Sequence, residues 1–170
     1  MDRNRIAQIW IETVLYTIVG LAIIGIVLAF VIPKVNQSKD NIIVEQSITS
    51  LKQLDSKIND VARQKGNIGR VDLNIKRGYL YINSSGDKIM FIVDGLTSLY
   101  SEPNVSITDG DLKLLSIKGQ KTNTVYLTLD YRLNITFNGK DVEKKITAAN
   151  LAYKLLIENK DNKIIDIREG

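Results

Sequence analysis

The feature that most constrains the fold is a stretch of 21 residues, Thr13 to Pro33, that contains no charged side chain. An α-helix of this length measures about 31 Å, close to the hydrocarbon thickness of a bilayer. Arg3 and Arg5 precede the stretch, and the positive-inside rule places such an end in the cytoplasm. We therefore predict one membrane-spanning helix, with the C-terminal part of the chain outside the cell.

A cleaved secretory signal is the alternative interpretation of this stretch. Such a signal has an apolar core of roughly 7–15 residues, followed by a cleavage site of small residues. The apolar run in this chain is longer, and the segment 33–36 that follows it, Pro-Lys-Val-Asn, is a poor cleavage site. Both observations favour a helix that remains on the protein.

The segment after the apolar run has the pattern of an amphipathic helix. No glycine or proline interrupts residues 34–65, and Gly66 ends the pattern. Asp55 is a polar exception within the apolar arc. Apolar side chains recur there at steps of three and four, at Val44, Ile48, Leu51, Leu54, Ile58, Val61 and Ala62.

The two segments together predict one long helix, from about Gln8 to Lys65. Pro33 lies inside it, removes the hydrogen bond to the Ala29 carbonyl and is expected to kink or strain the helix. The first half is apolar all round. The second half is apolar on one side only, so we expect that side to pack against the rest of the chain.

From Ile68 onward apolar residues alternate with a period of two, which is typical of β-strands. Turn-forming residues separate the strands at 83–87, 109–110, 138–139 and 159–162. We expect one long strand from Val125 to Phe137, with Val142 to Ile146 returning beside it after the Asn-Gly turn. The predicted fold class is α+β: a long N-terminal helix packed on an antiparallel sheet of six to eight strands, residues 66–170.

The composition removes most enzyme chemistry. The chain has no Cys and no His, which excludes thiol catalysis, Cys/His metal sites and imidazole triads. The segment 66–69, Gly-Asn-Ile-Gly, lacks the Lys-Ser/Thr of a phosphate loop, and Asp109-Gly110-Asp111 lacks the further ligands of a calcium loop. The net charge of +4 is too mild for a nucleic-acid partner. We expect no enzyme activity, no cofactor and no metal.

Five tyrosines in the β region leave two interpretations open. Packing within the sheet is favoured over a platform for sugars or bases. These residues are Tyr79, Tyr81, Tyr126, Tyr131 and Tyr153.

Glu12 is the anomaly of the N-terminal segment. It lies directly before the charge-free run, with Ile9, Trp10 and Ile11 on its other side. A carboxylate at this depth is either functional or held at the headgroup level, where Trp10 would act as an interfacial anchor. Composition alone does not choose between these two roles.

The segment Ala7-Gln8-Ile9-Trp10-Ile11-Glu12-Thr13, followed by the apolar run, resembles the class III signal of type IV pilins and archaeal surface filaments. In that family a prepilin peptidase cuts after a small residue, and the apolar helix stays on the mature protein. The resemblance implies cleavage between Ala7 and Gln8, with Glu12 as the fifth mature residue. A first mature Gln is similar to archaeal pilins and archaellins rather than to bacterial pilins. N-terminal methylation is implied as well.

The resemblance also implies an assembly mechanism. The helix first holds the subunit in the membrane and then packs against copies of itself in a filament. The small residues Gly20, Gly25 and Ala29, together with Ala22, would allow close helix approach. Glu12 would pair with the free α-amino group of Gln8 on a neighbouring subunit.

Four Asn-x-Ser/Thr sequons lie outside the apolar run. They could carry N-glycans on an extracellular surface or could simply be turn residues. The four are Asn36, Asn83, Asn104 and Asn134.

The expected organisation is a leader (1–7), a transmembrane and filament-core helix (8–33), an amphipathic helix (34–65) and an extracellular β domain (66–170). The leading hypothesis is a structural subunit of an archaeal pilus-like filament, with identical or related pilins, the peptidase and the membrane as partners. The alternatives are a minor pilin or pseudopilin of a secretion or assembly machine, and a membrane-tethered extracellular binding module.

Overall fold

The computed structural model describes residues 3–161 and 163–170, and these form two compact units, Met1–Ser38 and Lys39–Gly170. Helix α1, Arg3–Ala62, supplies all the described secondary structure of the first unit and continues into the second. The helix continues through Pro33, close to the bounds that the sequence predicts. It ends at Ala62, where the side-chain amide of Asn159 donates to the carbonyls of Val61 and Ala62, each at 3.2 Å. Gly66, four residues later, has a φ of 80°.

The second unit contains ten strands among its described residues. They are β1 Ile68–Leu73, β2 Tyr79–Asn83, β3 Lys88–Leu96, β4 Ser106–Asp109, β5 Leu112–Ile117, β6 Asn123–Asp130, β7 Asn134–Phe137, β8 Glu143–Thr147, β9 Tyr153–Asp161 and β10 Ile164–Glu169. A short 3₁₀ turn, Ser84–Gly86, joins β2 to β3. The α+β class and the packing of the long helix on largely antiparallel sheets are confirmed.

The strands form two sheets where the sequence predicts one. The six-stranded sheet has the order β4-β5-β6-β3-β2-β8, and the four-stranded sheet has the order β1-β9-β10-β7. All pairs are antiparallel except β7 with β10, which is parallel. The hairpins β2–β3 and β4–β5 form around the predicted turns. The hairpin β9–β10 also forms, but residues 159–161 of its predicted turn belong to strand β9.

The predicted long strand from Val125 to Phe137 is wrong, because the chain leaves one sheet for the other between β6 and β7. Tyr131 lies at the crossover: its amide donates to the Asp87 carbonyl at 2.9 Å, and its hydroxyl donates to Asp55 at 3.0 Å. These two bonds turn the chain inward at a position where alternation alone predicts that the strand continues.

The Asn138-Gly139 turn forms, but the predicted return of Val142–Ile146 beside it does not. Both turn residues have positive φ, 52° and 71°, as a tight two-residue hairpin turn requires. Strand β7 then pairs with β10, and β8 pairs with β2 of the other sheet. The turn is instead held by Asp166, whose carboxylate accepts from the Gly139 amide at 2.6 Å.

The core lies between the apolar side of α1 and the inward faces of both sheets. On the helix it includes Leu51, Leu54 and Ile58, each fully buried. Asp55, the polar exception of the helix pattern, is explained by its bond from Tyr131 and by a second bond from the Asn59 amide at 3.2 Å. The helix–sheet packing predicted from periodicity is therefore present, with a polar link at its margin.

Candidate functional site

The apolar stretch of α1 in the unit Met1–Ser38 is the main candidate site. Every large apolar side chain described from Ile9 to Val35 is more than one third exposed, up to 71% for Trp10 and 74% for Phe30. The helix is long and apolar enough to cross a membrane. Burial of such side chains stabilises by roughly 1.5–3 kcal/mol each, so the surface is compatible with a single-pass membrane anchor.

Glu12 lies exposed at the start of this surface. The nearby hydroxyls are satisfied within the helix: Thr13 donates to the Ile9 carbonyl at 2.9 Å, and Thr17 donates to the Thr13 carbonyl at 2.8 Å. Within the described part of the chain, no hydrogen bond or ion pair engages the Glu12 carboxylate.

The small residues predicted to permit close helix approach do not share one side of the helix. At about 100° per residue, Gly25 and Ala29 lie roughly 40° apart, whereas Gly20 is about 140° away from Gly25. A Cβ added at Gly20 or Gly25 would have no atom within 4 Å. The surface therefore offers two distinct lines of approach for neighbouring helices.

The predicted processing residues, Ala7 and Gln8, belong to helix α1. Their side chains fall outside the described part of the structure. The spacing between Gln8 and Glu12 is one helical turn.

The predicted sequons differ in accessibility. Asn36, Asn104 and Asn134 are exposed, and Asn104 has a φ of 63°. Asn83 is half-buried, and its side-chain oxygen accepts from the Gly86 amide at 3.0 Å. Asn104 and Asn134 are therefore the β-domain sequons best presented for modification.

Sequence reasoning missed Asp40, the carboxylate that fastens α1 to the β strands. Asp40 is 4% exposed and accepts from the Arg77 guanidinium at 2.8 Å, from the Thr97 amide and hydroxyl at 2.6 Å each, and from the Ser98 amide at 3.1 Å. Burial alone would raise the pKa of Asp40, but the hydrogen bonds from Thr97, Arg77 and Ser98 outweigh it and lower the pKa. The partners lie 37 to 58 residues away, so no local pattern marks this contact.

A second missed carboxylate is Asp166, on the outward side of the four-stranded sheet and 0% exposed. It accepts from the Thr136 hydroxyl at 2.8 Å and pairs with Lys160 at 3.0 Å, in addition to the Gly139 amide. Burial would raise the pKa of Asp166, yet the bonds from Gly139, Lys160 and Thr136 hold it below its ordinary value. This cluster joins β7, β9 and β10 and is structural.

Replacing Asp40 by Ala should lower the free energy of unfolding at neutral pH by roughly 2–4 kcal/mol, because Arg77, Thr97 and Ser98 lose the charged acceptor that they share. Since the folded pKa of Asp40 is lowered, its contribution is present above the ordinary pKa and is lost as pH falls through the folded value. Urea unfolding at neutral pH and below pH 4 measures both effects. Asp60→Ala is the matched control, because Asp60 is an exposed helix carboxylate in an ion pair with exposed Arg63. Equal losses in both variants would contradict a fastening role for Asp40.

In comparisons with known proteins, no protein-family model, no curated protein and no solved structure matches the chain.

Proposed function

We propose that this protein is the structural subunit of an archaeal type IV pilus-like extracellular filament, assembled through its N-terminal helix after leader cleavage. The observation that carries the proposal is the exposed apolar helix surface from Ile9 to Val35, with the Glu12 carboxylate near its start. Lipid can cover this surface before assembly, and identical helices can cover it afterwards. The aliphatic side chains then supply most of the association free energy.

Glu12 acts in this mechanism as the group that selects axial register. A carboxylate in a low-dielectric filament core requires a partner, and cleavage before Gln8 creates an α-ammonium group. Pairing Glu12 with the Gln8 amine of a neighbouring subunit satisfies both charges, whereas a slipped register leaves both unpaired. The exposure of Glu12 and its lack of a partner within the described chain support this role.

Processing is the first testable step. Intact mass and N-terminal sequencing of native surface protein should find Gln8 as the first residue, carrying any methyl group on its amine. Assembled material that retains residues 1–7 would contradict the proposed cleavage.

N-glycans should add mass at Asn104 or Asn134 that deglycosylation removes.

A membrane-tethered binding module is the second candidate, because the same helix is compatible with a single-pass anchor. The tether hypothesis predicts that residues 1–7 stay on the protein and that Glu12→Ala is tolerated. A minor pilin or pseudopilin would be processed in the same way, but it would be scarce in shed filaments. Quantitative mass spectrometry of shed filaments distinguishes a major subunit from a minor one.

A further inference from the structure

The strand register brings four connections of the unit Lys39–Gly170 to one end of the six-stranded sheet. One row across this sheet consists of Thr147, Tyr79, Ile92, Tyr126, Leu115 and Ser106. The chain enters or leaves the strands beyond this row through the segments 74–78, 97–105, 118–122 and 148–152. Lys39 lies at the same end, because the adjacent Asp40 bonds to Arg77, Thr97 and Ser98. We call these four segments and Lys39 the Lys39 end.

Free lysines are concentrated at the Lys39 end. They are exposed, and among the described residues none of them takes part in an ion pair: Lys39, Lys76, Lys118 and Lys121. The exposed carboxylates nearby are Glu45, which accepts from the Tyr100 hydroxyl, together with Asp94 and Glu102. Positive charge therefore remains in surplus at this end, and it is carried by long, mobile side chains.

An apolar loop projects from the same end. Leu151, in the segment 148–152, is 82% exposed, more than any other large apolar side chain in the described part of the chain. The base of the loop is fixed, since the Ala148 amide donates to the Gly78 carbonyl and the Ala149 amide to the Ile75 carbonyl, each at 3.2 Å. A leucine held in water beside uncompensated lysines is the combination that suits the headgroup region of a bilayer.

The length of the chain limits how far the Lys39 end can lie from a membrane. The apolar stretch of α1 ends at Pro33, six residues before Lys39. Six residues span at most about 20 Å even when fully extended. If the apolar stretch crosses a bilayer, the chain tethers the Lys39 end near the headgroups, whatever the angle between the two units. The opposite end of the sheet, with the turns 84–87 and 109–111, has no such tether.

We propose that the Lys39 end docks on a bilayer surface that carries anionic headgroups. The four lysines contact the phosphates, and Leu151 enters the boundary between headgroups and acyl chains. Each lysine near such a surface favours docking by about fivefold, and burial of the leucine side chain adds to this. The tether keeps the effective concentration of the surface high, so these modest contributions suffice. Salt weakens docking because it screens the lysines. The proposal depends on the membrane anchor and not on filament assembly.

The test uses the full-length chain in lipid nanodiscs. Because the chain has no Cys and a single Trp, two positions can be observed separately. An environment-sensitive dye on Asn150→Cys monitors the loop beside Leu151, and the same dye on Ser85→Cys monitors the opposite end. In discs of phosphatidylglycerol and phosphatidylcholine, lipids with a spin-labelled headgroup should quench the dye at 150 but not at 85. Discs of phosphatidylcholine alone should give several-fold less quenching.

Two sets of substitutions at exposed positions test the contacts. Lys118→Gln combined with Lys121→Gln should lower the docking equilibrium constant about thirtyfold, and Leu151→Ser should lower it about tenfold. Lys140→Gln combined with Lys163→Gln is the matched control, because these exposed lysines lie in the β7–β8 and β9–β10 connections. The control should leave quenching at 150 unchanged.

Equal quenching at 150 and 85 overturns the proposal, as does quenching at 150 that neither set of substitutions lowers. Quenching that disappears when each disc holds one chain would assign the contact to a second copy instead. Trp10 emission separates the two steps of the argument. Trp10 that stays in water contradicts the membrane anchor and the docking together, whereas an inserted Trp10 with an unquenched loop contradicts the docking alone.

Discussion

Subunits carrying Glu12→Gln are expected to insert into the membrane and lose their leader normally, yet to enter filaments poorly or not at all. The substitution preserves shape and hydrogen bonding but removes the charge. Under the proposed mechanism neither insertion nor cleavage needs the carboxylate, whereas in the proposed filament the Gln8 ammonium of a neighbour would be left buried and unpaired. Breaking a buried pair costs roughly 3–5 kcal/mol, a penalty that recurs at every added subunit.

Two quantities are measured together: the yield of sheared filaments and the membrane level of processed subunit. Together they separate a defect in assembly from a defect in insertion or cleavage. Glu102→Gln is the control, because it makes the same chemical change at an exposed position of the β domain. If the helix is only a tether, Glu12→Gln should be neutral or slightly favourable to insertion. Normal filaments built from processed Glu12→Gln subunits would remove Glu12 from the mechanism.

Residues 66–170 alone are expected to be rich in β structure but unstable, whereas residues 39–170 should unfold cooperatively as a monomer. Without the helix, the sheets lose their packing against the buried helix side chains Val44, Leu51, Leu54, Ile58 and Val61. That loss is on the order of 10 kcal/mol, comparable to the whole stability of an ordinary domain. Thermal unfolding followed by circular dichroism compares the two fragments.

Single substitutions in the 39–170 fragment separate helix packing from fragment length. Leu51→Ala should cost roughly 2–5 kcal/mol, since the side chain is fully buried. Ile42→Ala, on the same helix but 55% exposed, should change the free energy of unfolding little. Equal melting of the 66–170 and 39–170 fragments would show that the helix does not stabilise the sheets.

Much of the fold could be predicted because its signals are local. Steps of three and four at Leu51, Leu54 and Ile58 identify the helix face that packs on the sheets. Turn residues at 83–87 and 109–110 predict two hairpins that form, because a tight turn pairs the strands that it joins. The prediction fails where strand pairing depends on residues far apart in the sequence, as in the run from Val125 to Phe137.

The tyrosines show the same limit. All five have the same local character, and packing is the general expectation for them. The structure places Tyr131 at the margin of the core, bonded to Asp55, but brings Tyr79, Tyr81 and Tyr126 together on one outward face. Only the cross-strand register, which depends on the β2–β3 and β3–β6 pairings, joins residues 79 and 126 in one row.

The sequence by itself determined the apolar helix, the amphipathic continuation, the α+β class and the turns, because each depends on side chains a few residues apart. Tertiary structure alone decided the division into two sheets, the crossover at Tyr131 and the hydrogen bonds that hold the Asp40 and Asp166 carboxylates. The first depends on which distant strands pair, and the other two depend on which distant donors and acceptors meet. A buried charge is stable only where several such donors converge, and that convergence exists only in the folded chain.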